Sequence, residues 1–510
     1  MTIGEIFLKK IREESVKMFV VLMFTLLPLY YSDNYYNILH DKRDVYGLFT
    51  LILAGILVCS LLVSFCLTIR HKQLKENIKK EFHKTSALDI TMILFGIVAV
   101  VSTVYSSDVE QSLTGEAAWD VGTLMIVCSV FLYFAISRCY SGKGDIWAYL
   151  YCGTLAVLVI GVIDRLGYDF LVMHDEIPLQ YNIFISTIGN INFWAAYLSV
   201  IIPFFILAPG FIQGKLKKLC IYLLLLIAYF SLFITLTNTT YLGIGVAMLF
   251  VIWYSLQKTS RLMNLAINGI LFTVAGVAAE VLWRNPYTPR PIDTDTVTLL
   301  LLQHHLYLIP GAVGIIIIVF LLVTSALSVK ARKKVNRIVE RYFSKIWIEL
   351  ILIGVIGLVY YLIYNYSLEL FNYRGSIWYF AFNGFLDGNI WQKIMGVGPG
   401  LLDTVTQAQI AKADFYVEWN WFYCTAHNDL LEYLVTTGIV GTVLKLMMYI
   451  LPYIMYARGK SRKSEKAAVL AALTGFIGQG LMTGPYILTY AFYTIFLGVM
   501  AAYDRMDKAQ

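Results

Sequence analysis

Residues 306–329 read LYLIPGAVGIIIIVFLLVTSALSV, a run without one charged side chain. As a helix rising about 1.5 Å per residue, such a run outreaches a hydrocarbon core of roughly 30 Å. Lipid offers no water to backbone N–H and C=O groups, so only helices and closed barrels cross it. The run lacks the alternation of a barrel strand, which leaves the helix. Tyr46 to Ile69 is a second run of the same kind. Working outward gives fourteen apolar spans, near residues 16–32, 46–69, 87–106, 119–137, 146–163, 188–210, 219–237, 240–256, 264–283, 305–329, 347–366, 438–456, 467–483 and 486–503. The expected fold is an all-α polytopic membrane protein with twelve to fourteen transmembrane helices. Composition agrees: apolar and aromatic residues make up 59% of the 510 residues and charged residues 14%. A soluble domain carries about 25% charged residues, so this chain lacks the polar surface of a water-soluble globule.

Charge orders the spans. Lys9, Lys10, Arg12 and Lys17 precede or open the first apolar stretch. Ser32, Asp33, Asn34 and Tyr35 follow it, with no small-x-small cleavage site, so a retained signal anchor is expected. With a cytoplasmic N-terminus, most of the 40 Lys and Arg residues fall in cytoplasmic segments. Arg70 to Lys84 is one such segment and Lys330 to Lys345 another. The opposite orientation inverts this bias. Both termini are therefore expected in the cytoplasm, with the spans among membrane lipids. The net charge of +7 is read as a topology signal. Nucleic-acid binding needs that charge on a folded, aromatic-bearing domain, and none is present. Cys424 is the one cysteine outside the spans or their ends, so no disulfide scaffold is expected outside. No CxxC or HExxH pattern occurs, and His304-His305 has no third ligand nearby. No metal or cofactor is expected.

Three regions follow: residues 1–366 with eleven spans and short loops, residues 367–437 as one large extracytoplasmic loop, and residues 438–510 with the C-terminal spans. Long ordered loops tend to be functional, so chemistry is expected in 367–437, supported by short helices of its own. The loop holds Tyr373-Arg374-Gly375-Ser376-Ile377-Trp378, then Gly396-Val397-Gly398-Pro399-Gly400. Glu418-Trp419-Asn420-Trp421-Phe422-Tyr423 follows, and Ala426-His427-Asn428-Asp429-Leu430-Leu431-Glu432 ends it. The glycines at 396, 398 and 400 suggest tight turns. The loop is expected to fold over the membrane surface and enclose a cavity above the central spans.

His427-Asn428, nine residues, then Gly438-x-x-Gly441 resembles the signature of the O-antigen ligase superfamily. That group includes lipopolysaccharide O-antigen ligases, related polysaccharide polymerases and pilin-type oligosaccharyltransferases. Arg374 with Trp378 resembles its R-x-x-x-W element, and Gly396-x-Gly398 its glycine turn. Gly189-Asn190-Ile191-Asn192 with Ala195 is similar to its G-N-x-N-x-x-A, and Ser106 to Gly115 to its early outer loop. The resemblance covers about residues 100 to 445. It departs at Asn238-Thr239-Thr240-Tyr241, where family members often carry a Ser-Arg whose arginine helps hold the donor's diphosphate. Arg165, Arg284 and Arg290 are the remaining outer arginines.

The resemblance implies metal-independent transfer of a glycan from a polyprenyl (undecaprenyl) diphosphate donor to an acceptor hydroxyl. The acceptor is a glycan, a lipid or a protein, and the enzyme a surface-polysaccharide ligase or polymerase. An acceptor hydroxyl needs a general base, and a histidine near pKa 6.5 suits neutral pH. His427 takes that role, with Glu432 about one helical turn on to orient the imidazole. A diphosphate leaving group needs positive charge in a fork, which Arg374 supplies. Trp378, Asn428, Asn190 and Asn192 complete the substrate-binding set. Each has a plainer reading. His427-Asn428 fits a cap for the helix leading to the twelfth span. Arg374 fits an interfacial anchor paired with Glu369 or a lipid phosphate, and Glu432 a salt bridge. Asn190 and Asn192 fit packing or helix breaking, and Trp419, Trp421, Phe422 and Tyr423 a headgroup-level aromatic belt. The alternative function is a transporter or flippase of lipid-linked sugars. It needs polar groups near the midplane and commonly shows inverted repeats, and the spans are poor in charge with no clear repeat.

Overall fold

A computed structural model describes residues 3–70, 85–115, 121–142, 145–174, 181–285, 293–413, 423–484 and 486–509. The basic run 71–84, Arg290, the stretch Trp419-Asn420-Trp421-Phe422 and Pro485 lie outside them. The chain is helical almost throughout. It begins with α1 (Ile3–Leu29), α2 (Ile38–Arg70), α3 (Ala87–Val104), α4 (Val109–Thr114), α5 (Thr123–Cys139) and α6 (Ile146–Arg165). A two-stranded hairpin, β1 (Phe184–Ile185) against β2 (Gly189–Asn190), precedes α7 (Ile191–Leu207). Then come α8 (Lys215–Phe233), α9 (Thr239–Leu256), α10 (Thr259–Arg284), α11 (Thr296–Gln303) and α12 (Leu308–Ala326). The basic α13 (Val329–Ile338) runs through a π-helical turn, Val339–Phe343, into α14 (Ser344–Tyr364). Residues 367–437 supply α15 (Leu370–Asp387), α16 (Ile390–Met395), α17 (Leu402–Ile410) and α18 (Asp429–Thr436). α19 (Gly438–Arg458), α20 (Lys463–Gln479) and α21 (Ile487–Ala509) close the chain.

Among the described residues, 11 helices are long and apolar enough to cross a membrane. The three other expected spans are helices too, with physical reasons for falling short. α1 keeps Arg12, Glu13, Glu14 and Lys17 in its body. α5 has 17 residues, and so has α20, which also holds Lys463, Glu465 and Lys466.

Burial separates centre from rim. α7, α20 and α21 are sunk in protein, whereas α14 has no buried residue. Lipid tails are as apolar as leucine, so helices gain by close backbone approach at small residues. A Cβ on Gly475 of α20 would lie 1.8 Å from the Ser199 carbonyl of α7, and one on Gly243 of α9 would lie 2.3 Å from the Ser199 hydroxyl. Gly478 of α20 packs against Gly243 in turn. These contacts lock α7, α9 and α20 into one block. Gly354 of α14 meets nothing within 4 Å. Gly475→Leu is therefore expected to abolish recovery of folded protein in detergent, while Gly354→Leu leaves it near wild type. Size-exclusion profiles with thermal-shift midpoints would show this, and equal behaviour of the two variants would contradict it.

Candidate functional site

The site is assembled where the 425–429 loop meets the 480–484 turn between α20 and α21. Asp429 N–H donates to the Gly480 carbonyl at 2.7 Å. The Asn428 side-chain amide donates to the Leu481 carbonyl at 3.2 Å. Gly484 lies so close to Thr425 that a Cβ would sit 2.0 Å from its hydroxyl, which explains a glycine there. Arg374 joins from α15: its Nε donates to the Met482 carbonyl at 2.9 Å and a terminal nitrogen to the Phe371 carbonyl at 3.0 Å. Phe371, Asn372 and Tyr373 just before it hold left-handed backbone, φ 53, 59 and 64°. Side chains there cost roughly 1–2 kcal/mol each, so the surrounding contacts must impose the shape. His427 is left-handed as well, at φ 47°.

The glycine motif has a backbone reason. Val397 and Gly398 N–H groups donate to the Val435 and Thr436 carbonyls at 3.1 and 3.0 Å. Gly396 and Gly438 both take positive φ, and a Cβ on either would run into the other strand's backbone. The glycine turn thus clamps the end of α18 and the start of α19. The early segment docks on the same turn, through Gln111 to the Gly400 carbonyl at 3.0 Å and to Asp403 at 2.9 Å.

Each expected site residue has a definite place. Asn428 caps α18, its side-chain oxygen accepting from Leu431 N–H at 3.0 Å. Glu432 accepts from Ala426 N–H at 2.7 Å and from the Thr425 hydroxyl at 3.2 Å, so it fixes the backbone ahead of His427. Trp378 also grips that backbone, donating to the Ala426 carbonyl at 3.1 Å. Asn190 caps α7 by accepting from Asn192 N–H at 2.8 Å, and Asn192 accepts from the Thr237 hydroxyl at 3.1 Å. Phe193, next in chain, stacks on Tyr486 at 3.9 Å, two residues beyond Gly484. At the departure from the family pattern, Tyr241 Oη is hydrogen-bonded with Thr298 at 2.7 Å. Arg284 is ion-paired to Glu280 at 2.6 Å, and Arg165 is buried with one terminal nitrogen on the Asn182 carbonyl at 3.3 Å.

Sequence reading passed over Asp429 and Lys445. Lys445, in α19, is fully buried, its ammonium 3.3 Å from the Asp429 carboxylate. It lies 4.6–5.6 Å from the ring centroids of Tyr433, Tyr449, Phe476, Tyr490 and Tyr493. Tyr449 also donates to Asp429. Charge with ring faces offsets desolvation that either ion alone would suffer. The signal in sequence was a lysine inside a span, which is rare without purpose.

Electrostatics set the protonation. Burial pushes the His427 imidazole down to about 3, and the Arg374 guanidinium acts the same way. The ring is thus neutral at neutral pH, and a weaker base than its ordinary value near 6.5 suggested. Burial pushes Glu432 up to about 7, against the Ala426 N–H and Thr425 hydroxyl, with Asp429 and Asp403 adding to the rise. Burial lowers Arg374, and no carboxylate acts on it among the described residues. Compared with known protein families and with curated proteins, the chain matches none.

The two shifts have opposite linkage to stability. The lowered His427 contributes stability that is complete above about 6.5 and lost as pH falls toward 3. The raised Glu432 contributes stability that is complete below about 4.3 and lost as pH rises through 7. Between these limits they oppose. In that window the thermal midpoint of His427→Asn is expected to fall with rising pH, that of Glu432→Gln to rise, and wild type to lie flatter than both. Parallel slopes in all three proteins would refute the assignment.

Proposed function

We propose that the chain transfers a glycan from a polyprenyl diphosphate donor to an acceptor hydroxyl, as a surface-polysaccharide ligase or polymerase. One observation carries the reading: Arg374 and the loop bearing His427 are both hydrogen-bonded to the 480–484 turn, Arg374 Nε to the Met482 carbonyl and Asn428 to the Leu481 carbonyl. The family resemblance supplies the substrate class. In the proposed step, the acceptor oxygen bonds to the anomeric carbon and its proton passes to His427. The bond from that carbon to the diphosphate oxygen breaks, the electron pair stays on that oxygen, and Arg374 stabilises the departing diphosphate. A diphosphate seated on Arg374 offsets the smaller of the two effects on the imidazole, the guanidinium charge, while burial, the larger one, stays. Trp378, Asn428 and Glu432 are positioning residues here, because the fold uses their polar atoms to shape the loop around His427. Asn190 and Asn192 shape the neighbouring start of α7. The site face is the extracytoplasmic side of a bacterial cytoplasmic membrane, with both termini in the cytoplasm, on the charge asymmetry of the loops.

The Asp429–Lys445 pair favours a second reading, since charges buried among spans are what a carrier of lipid-linked sugars would use. Purified protein in liposomes with lipid-linked glycan and candidate acceptors separates the two: a covalent product without transbilayer movement supports transfer. His427→Ala is expected to lower the transfer rate by about 10² to 10⁴ at normal protein level. Arg374→Lys is expected to lose donor affinity, because lysine keeps the charge and loses the fork. Full activity in both variants would remove the site from the mechanism.

A further inference from the structure

The face opposite the site carries a second feature. α13 reads VKARKKVNRI and has five basic residues and no acidic one. Lys330, Lys333, Lys334 and Arg337 are exposed and lie along one side at helical spacing, while Ala331 and Val335 on the other side are half-buried. α13, the π-helical turn and α14 form one rod of 36 residues, Val329–Tyr364, basic at its start and apolar beyond. At about 1.5 Å per residue it is far longer than a hydrocarbon core of roughly 30 Å. The basic end therefore lies at the headgroup level. Its depth is fixed from below: Glu340 accepts from the backbone and hydroxyl of Thr259 at 3.0 and 3.1 Å, where α10 begins. Tyr254, just ahead of that start, donates to Ser464 at 3.3 Å, beyond the far end of α19 from Gly438 and the site.

Beneath the same end runs an apolar cavity of about 740 Å³ between α9, α10, α12 and α14. Leu256, Leu262, Val339 and Phe343 line it near α13, and Met248 and Phe320 line it deeper. Its volume falls in the range of real ligand sites, roughly 300–1,000 Å³. The polar side chains in its wall are satisfied within the protein, Tyr229 donating to Asn268 at 3.0 Å and the Trp347 indole to the Leu249 carbonyl at 2.9 Å. Nothing in the wall calls for a polar ligand, and the basic helix α13 runs directly into that wall at Val339.

From this juxtaposition we infer that α13 and the cavity form a binding site for an anionic phospholipid, its phosphate on the Lys330–Arg337 face and an acyl chain in the cavity. Charge complementarity decides the occupant: a basic, amphipathic juxtamembrane helix attracts anionic headgroups, and a neutral lipid gains nothing from it. The site is independent of the transfer reading, since it lies on the opposite face from His427 and uses none of its residues.

The test is lipid retention by the purified full-length protein, read by native mass spectrometry after delipidation and titration with single lipids. Phosphatidylglycerol is expected to be held at least tenfold more tightly than phosphatidylcholine, since each surface Lys or Arg contributes about fivefold. Lys330→Gln, Lys333→Gln, Lys334→Gln and Arg337→Gln combined should abolish that preference. These side chains are exposed, so the variant leaves the packed helices untouched. Ile252→Trp, which fills the cavity, should weaken both lipids. Equal retention of the two lipids by wild type, or an undiminished preference in the combined variant, would overturn the inference. Displacement of phosphatidylglycerol by polyprenyl phosphate at equal concentration would also overturn it, by giving the cavity to the donor's tail.

Discussion

The ion pair between Asp429 and Lys445 is the contact on which the site depends. It joins the first residue of α18 to the body of α19, and the tyrosines around it come from α18, α19 and α21. A charge in that position cannot be released cheaply, because the alternative is an unpaired ion in a low-dielectric interior. The start of α18 is therefore held against the spans. Asn428 and His427 follow from it, since Asn428 caps the helix and His427 lies just ahead in a left-handed turn. The 480–484 turn then closes over the loop and offers its carbonyls to Asp429, Asn428 and Arg374. Residues distant in sequence are thereby brought to one patch.

The arrangement separates positioning from chemistry. Glu432 and Trp378 bind the backbone before His427, and the glycines at 396 and 438 allow two chain segments to cross without side chains between them. The proposed chemistry falls to the neutral imidazole and the Arg374 guanidinium. The guanidinium rests on carbonyl oxygens, which are weak partners for a cation beside the charge-assisted bonds a phosphate would make. An anion is the natural competitor for those contacts.

Much of the helical architecture was legible because lipid imposes a simple rule on backbone groups, and uninterrupted runs such as 306–329 obey it visibly. α5 and α20 were harder: each is short, and α20 is packed so fully in protein that its sequence needs only small residues, not a long apolar block. In the site, the sequence singled out Arg374 and His427 from separate motifs, and the fold hydrogen-bonds both segments to the 480–484 turn. Sequence alone could not distinguish a ligand contact from a cap, and Asn428 and Asn190 are both caps. Glu432 illustrates the same limit. One helical turn placed it near the loop, yet its bonds go to Ala426 and Thr425, a choice set by the loop's path. The basicity of His427 was misjudged from its ordinary value because burial and Arg374 are tertiary effects. Lys445 stood in plain view within a span, but its partner and its rings come from segments that only folding assembles.

The most direct test is the position of the donor's diphosphate. A cryo-electron microscopy structure with a non-reactive polyprenyl diphosphate analogue would locate it. Phosphate oxygens are expected within about 2.7–3.2 Å of the Arg374 guanidinium, with the sugar-bearing end facing His427. A diphosphate bound elsewhere, with Arg374 still resting only on the Met482 and Phe371 carbonyls, would contradict it.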